Sequence, residues 1–266
     1  MHRGALFWGG ALVLIGSLLF LRNLEVLTFP VGAVLWPVVL ILIGIWSLLS
    51  IFRPRGSLAA ESASIPLQGA SKASVHVRHG AGQLRVDASA DPGALVSGTF
   101  GGGLDQRVRL QGDTLDVDLR PPEDFTRWAW PWGWSAAGAL DWTLGLSRDV
   151  TLELDLQTGA SQTRMDLSEL KVSDFRLRTG ASETHVTLPA AGISRVRVEA
   201  GAASVVLRIP DGVKGKIRMR GALSDIAVDR ERFPRSGDVY QSPDFDGAAN
   251  RVEIDIDMGV GSVKLI

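Results

Sequence analysis

The sequence predicts an all-β domain of the β-solenoid kind behind a two-helix transmembrane hairpin. Three observations carry this: a recurrence every 21 residues, period-two alternation of apolar residues, and two long uncharged apolar stretches near the start. The recurrence is clearest with zero set at Gly159, Gly180, Gly201 and Ala222. Five before zero stand Leu154, Phe175, Val196 and Ile217, and three before stand Leu156, Leu177, Val198 and Met219. Four after stand Thr163, Thr184, Val205 and Ile226, and six after stand Met165, Val186, Leu207 and Val228. The residues at minus four (Asp155, Arg176, Arg197, Arg218) and minus two (Gln157, Arg178, Glu199, Arg220) are polar. The same frame fits Gly80 and Gly259, which are out of phase along the chain. A fixed period of this length marks stacked supersecondary units.

Within each unit, strict alternation predicts half-buried strands on both sides of the Gly-Ala-Ser corner. The inward phase shifts by one residue at zero, so the chain must turn there. Glycine suits such a corner because positive φ costs other residues about 1 kcal/mol or more. Position plus two is always small (Gly82, Ser161, Ser182, Ala203, Ser224, Gly261), which lets neighbouring corners stack closely. An antiparallel meander or sandwich, with each Gly-Ala-Ser as a hairpin turn, is the alternative.

Residues 4–21 and 31–52 carry no charge. As helices they reach about 27 and 33 Å, enough to cross a bilayer. Residues 1–53 are therefore expected to form the hairpin, and 54–71, with Pro54, Gly56, Pro66 and a small-residue run, a linker. Arg3, Arg53 and Arg55 flank the outer ends of the spans, against Arg22 and Glu25 in the loop, which places the β-domain on the cytoplasmic side. Residues 72–266 are the β-domain. Its first part adds strands at Ala94–Phe100, Arg107–Leu110 and Thr114–Leu119, with Gly112-Asp113 as a hairpin turn. Residues 236–250 read as a polar loop and 251–266 as a closing unit.

Residues 121–142 interrupt the pattern with five of the chain's eight tryptophans. Trp128, Trp130, Trp132 and Trp134 alternate with other residues and would line one edge if extended. They are candidates for contact with the membrane or a partner, tryptophan being an interfacial residue. A cap over an open end of the stack is the equal alternative. The frame also aligns Arg176, Arg197 and Arg218 in one outward column, with Arg178 and Arg220 beside it. These are candidates for an anionic surface, or simply a solvated face neutralised by Glu199, Asp155 and Asp174.

No catalytic, cofactor-binding or metal-ligating set emerges. The chain has no cysteine, which removes disulfides and thiolate chemistry. A net charge of −1 gives no reason to expect nucleic acid. His76 and His79 fall on opposite faces of one strand and cannot chelate together. His79 takes the inward slot held elsewhere by Thr158, Thr179 and Ala200. The glycines from Gly98 to Gly103 precede a strand pattern, not the helix that a phosphate loop needs.

Several stretches resemble a known family. Leu35-Trp-Pro-Val-Val-Leu-Ile-Leu-Ile-Gly44 is similar to the membrane region of LiaI/LiaF-type bacterial proteins. His79-Gly-Ala-Gly82, Trp142-Thr-Leu-Gly-Leu146, Asp149–Gly159, Thr179-Gly-Ala-Ser182 and the ending from Val252 to Lys264 resemble the LiaF C-terminal toast-rack β-domain, also related to part of some PspC-type proteins. The resemblance implies a membrane-anchored, non-enzymatic protein of the envelope-stress response, acting on a sensor kinase or another membrane protein. It carries no catalytic residues. A self-assembling scaffold at the membrane is the second reading, since exposed strand edges favour homo-oligomers.

Overall fold

The computed structural model describes residues 60–122 and 140–266, all within the unit Arg55–Ile266. The expected hairpin and Trp128, Trp130, Trp132 and Trp134 lie outside the described residues, and no described helix is long and apolar enough to cross a membrane. The described chain is all-β. Its strands are β1 (Glu61–Pro66), β2 (Lys72–Asp87), β3 (Ala94–Phe100), β4 (Asp105–Gln111), β5 (Thr114–Arg120) and β6 (Trp142–Leu146). There follow β7 (Thr151–Asp166), β8 (Lys171–Thr187), β9 (Ile193–Arg208), β10 (Lys214–Val228), β11 (Arg235–Ser236), β12 (Val239–Gln241) and β13 (Arg251–Leu265).

Six long strands form the body, in the order β2-β7-β8-β9-β13-β10, and every neighbouring pair is parallel. Hairpin turns at Gly-Ala-Ser would make these pairs antiparallel, so the meander does not describe them. Leu154 lies beside Phe175 and Phe175 beside Val196, neighbours spaced 21 apart in sequence. In β7 the buried residues are Leu152, Leu154, Leu156 and Thr158, then Ser161, Thr163 and Met165. The switch from even to odd falls at Gly159-Ala160. Both halves of the strand thus present an apolar row to the same core, although the strand bends between them.

The corner glycines have a different cause from the one expected. Gly80, Gly159, Gly180, Gly201 and Gly259 do not have positive φ. A Cβ at Gly159 would stand 2.3 Å from the Gly80 carbonyl oxygen, one at Gly180 3.2 Å from that of Gly159, and one at Gly201 3.1 Å from that of Gly180. At Gly159 the close approach of the adjacent backbone, rather than backbone conformation, excludes a side chain, whereas at Gly180 and Gly201 the neighbour would have to give by a few tenths of an ångström. Positive φ occurs two residues later, at Gly82 (107°) and Gly261 (143°).

Strand order also departs from simple succession. The closing unit β13 does not end the stack; it is inserted between β9 and β10, pairing Val196 with Ile254 and Ile254 with Ile217. All of these strands obey one frame, so any could in principle be neighbours, and the hydrophobic pattern alone does not choose among them. At the other end, β2 is flanked by two short strands. Its first half pairs with β5 and its second half with β6. Beyond them lie the β4–β5 hairpin on one side, and β3 and β1 on the other. The hairpin turns at Gly112-Asp113 as expected, and Asp113 ties it back by accepting from the Ser71 hydroxyl and the Ser71 and Lys72 amides. The Ser71 hydroxyl and then the Ser71 amide, both donating to the carboxylate, hold the Asp113 carboxyl below its ordinary proton affinity, whereas the Lys72 amide donates to the Asp113 main-chain carbonyl.

Glu61–Pro66 falls within the expected linker, yet it forms β1 on β3. Its only deeply buried side chain is Ile65, too little alternation to mark a strand. Likewise, the expected loop 236–250 contributes β12, which pairs Val239–Gln241 with Arg218–Lys216 of β10. Ser242, from the same stretch, is buried: its hydroxyl accepts from the Gly215 amide at 3.0 Å.

Candidate functional site

β5 and β6 together stand where one bent strand would. Leu119 and Leu156 both sit beside Val77, and Trp142 and Thr163 both sit beside Leu84. In β7 those two positions are 7 residues apart; from β5 to β6 they are 23 apart. The tryptophan-rich segment is thus an insertion at the corner of a divided unit. Trp142 does not belong with the others. It opens β6, is 1% exposed, and packs edge-on against Phe100 with ring centres 5.1 Å apart. Its indole N–H donates to the Gly101 carbonyl at 3.0 Å. That contact, together with the tight fit of Gly98 beneath Thr143, gives the glycine-rich stretch 98–103 a structural role.

His79 takes its inward slot next to Thr158. Its Nε2 lies 2.8 Å from the Leu140 carbonyl oxygen, so Nε2 carries the proton and donates. Nδ1 is buried without a partner, and the ring leans on Trp142 at 5.4 Å. Burial lowers the histidine's proton affinity, opposed by the Leu140 carbonyl and by nearby Asp141. His76 points to the other face, 3.8 Å from Asp116. No group of three metal-ligating side chains forms among the described residues.

The corner column lines an open groove of about 880 Å³, bordered by Arg78, Arg178, Glu199, Asp257 and Pro121, where the insertion begins. On the flank before it, the arginine column is interrupted. The outward row reads His76, Asp155, Arg176, Arg197, Asp255 and Arg218 across the stack, because β13 puts Asp255 between Arg197 and Arg218. The adjacent row sets Arg178 between Gln157 and Glu199, and Arg220 beside Asp257. Arg176 and Arg178 lie 3.9 and 3.4 Å from Asp155, and Arg178 also reaches Glu199 at 3.7 Å. Arg218 lies 2.7 Å from Glu253 and 3.6 Å from Asp255. The sequence frame aligned these arginines correctly but could not show the acidic strand threaded between them.

A sequence profile for the N-terminal domain of toast_rack (DUF2154) matches residues 55–208, and one for the LiaI-LiaF-like transmembrane region matches residues 6–48. No curated protein matches the chain. Among solved structures, a proposed cell adhesion protein from Clostridium sporogenes is 16% identical, with a TM-score of 0.67 over 78% of this chain and 98% of that one. A proposed adhesin from Bacteroides fragilis is 9% identical over 78% of this chain and 96% of that one, with a TM-score of 0.27. The first of these shows a shared fold, and the second carries no argument. The match over residues 55–208, more than half of the chain, preceded by a matching membrane region, makes this chain a member of the toast-rack family, of LiaF type.

Proposed function

We propose that this protein is a membrane-anchored, non-enzymatic regulator or sensor accessory in the bacterial envelope-stress response, working through protein–protein or membrane-surface contacts. The observation that carries this reading is the pairing of two matches in one chain, a LiaI-LiaF-like membrane region and a toast-rack domain. The β-domain supports it by presenting long regular surfaces. Its corner groove is open, with a floor of corner glycines bordered by charged side chains, a shape better suited to contact than to enclosing a substrate. A sensor kinase or another membrane protein is the proposed partner. Trp128, Trp130, Trp132 and Trp134 are proposed to meet that partner or the bilayer. Arg176, Arg178, Arg197, Arg218 and Arg220 are the proposed anionic-surface contacts. Of these, Arg197 and Arg220 make no ion pair within 4.0 Å among the described residues.

The test is transcriptional. Deleting the gene from its host is expected to change envelope-stress transcription several-fold under a cell-wall-active antibiotic. The intact chain should restore the response, and a chain lacking residues 6–48 should not. An unaltered response in the deletion strain would sink the proposal.

The β-domain is proposed to be cytoplasmic, from the arginine balance around the spans. The absence of native cysteine makes this directly measurable. Gln162 is exposed on β7, unlike buried Ser242. A Gln162→Cys chain in intact cells is expected to resist a membrane-impermeant thiol reagent and to react after lysis. Labelling before lysis would place the domain outside.

A further inference from the structure

The last body strand, β10, is finished on one half and bare on the other. Its first half is covered, Lys216–Arg218 pairing with β12, and Phe233 and Tyr240 pack into the core beside it. Its second half, from Leu223 to Val228, is bonded to β13 along one edge only. Burial registers the difference. The slot four after the corner is 1% exposed in Leu84, 0% in Thr163, Thr184 and Val205, and 2% in Val263. In β10 the same slot holds Ile226, 41% exposed. Val228, two residues on, is only partly buried, where its counterparts Met165, Val186, Leu207 and Leu265 are buried.

Stacked-strand domains require a cap at each end, and natural edges are guarded by proline, lysine, bulges or covering loops. Residues 223–228 contain no proline and no lysine. Among the described residues, no strand pairs with this edge. The inserted segment leaves and re-enters the domain at Pro122 and Leu140, beside β5 and β6. Those strands lie six strand positions from β10, about 29 Å at the usual spacing.

We propose that Leu223–Val228 is a dimerisation edge, where two copies of this chain pair antiparallel about a two-fold axis at Ile226. The sequence is self-complementary in this register. Inward residues must face inward residues, which sets Ile226 opposite Ile226 and Asp225 opposite Ala227, so no like charges oppose. Pairing supplies the missing hydrogen bonds and covers Ile226. An isologous contact of this kind closes on itself, giving a dimer and not a filament. Chains held in one bilayer meet at raised effective concentration, so a short ladder suffices. The inference rests on burial and pairing and is independent of the role in stress signalling.

The test uses the full chain. In membranes under mild oxidation, the Ile226→Cys variant is expected to form a covalent dimer, and Gln162→Cys, on the outward face in mid-stack, none. In detergent, light scattering should show wild type as a dimer. Ile226→Lys should weaken that dimer at least about tenfold, since the charge would be buried unpaired. Its far-ultraviolet circular dichroism should match wild type, because the site is partly exposed in one copy, while its melting temperature should lose the concentration dependence that a dimer confers. A wild-type monomer, an undiminished dimer in Ile226→Lys, equal cross-linking at both positions, or a ladder of larger species would each overturn the proposal.

Discussion

Gly261→Ala is expected to destabilise the β-domain by about 4 kcal/mol and to lower its melting temperature by about 10 °C. Two costs coincide at this residue. Its φ of 143° lies where residues with a side chain are strained, about 1–3 kcal/mol. An added Cβ would also stand 1.9 Å from the Ala203 carbonyl oxygen, so strands β9 and β13 would have to separate. Overpacking of that kind costs about 1–3 kcal/mol. Gly80→Ala is the matched comparison. It sits at a corner on β2, its φ is not positive, and a Cβ there would meet nothing within 4 Å. Thermal unfolding of the full chain in detergent should separate the two variants clearly. Equal losses would show that the strand spacing does not determine which corners need glycine.

Trp142→Ala is expected to cost about 3–5 kcal/mol, which is also on the order of 10 °C or more. The side chain is among the largest fully buried ones and holds Phe100 from one side and His79 from the other. Its removal leaves a cavity and strips the Gly101 carbonyl of its indole donor. Trp142→Phe keeps most of the volume and loses the hydrogen bond, so it should cost about 1–3 kcal/mol. Denaturant unfolding followed by circular dichroism would measure both. An alanine variant as stable as wild type would mean that β6 is not anchored through this ring.

The periodic part of the fold was legible because every turn of chain in it spends the same number of residues. The burial switch at Gly159-Ala160 follows directly from apolar residues moving from even to odd numbers. His79 was legible as a core residue for the same reason. Order within the stack was not. β10 and β13 satisfy one frame equally well, and only the connection through β11 and β12 allows β13 to enter between β9 and β10. The arginine column inherited that blindness, since Asp255 arrives from a strand 58 residues away from its neighbour Arg197. Trp142 was grouped with the tryptophans before it because they are close in sequence. The signal that separates it is the alternation with Leu144 and Leu146, which are also buried. The exposed half of β10 left no trace in the sequence, because Ile226 occupies an inward slot like any other.

The insertion of β13 also sets an order of assembly during synthesis. Strands β2, β7, β8 and β9 can each join the one before it as it leaves the ribosome. β10 cannot, because the strand beside it begins 37 residues later, at Arg251 against Lys214. At about 5–20 residues per second, β10 waits some seconds with its inner edge unmet. During that interval the nascent chain presents two open edges, one on β9 and one on β10, that match the same incoming strand. Residues 251–265 thus complete the stack only after both of their neighbours have been synthesised.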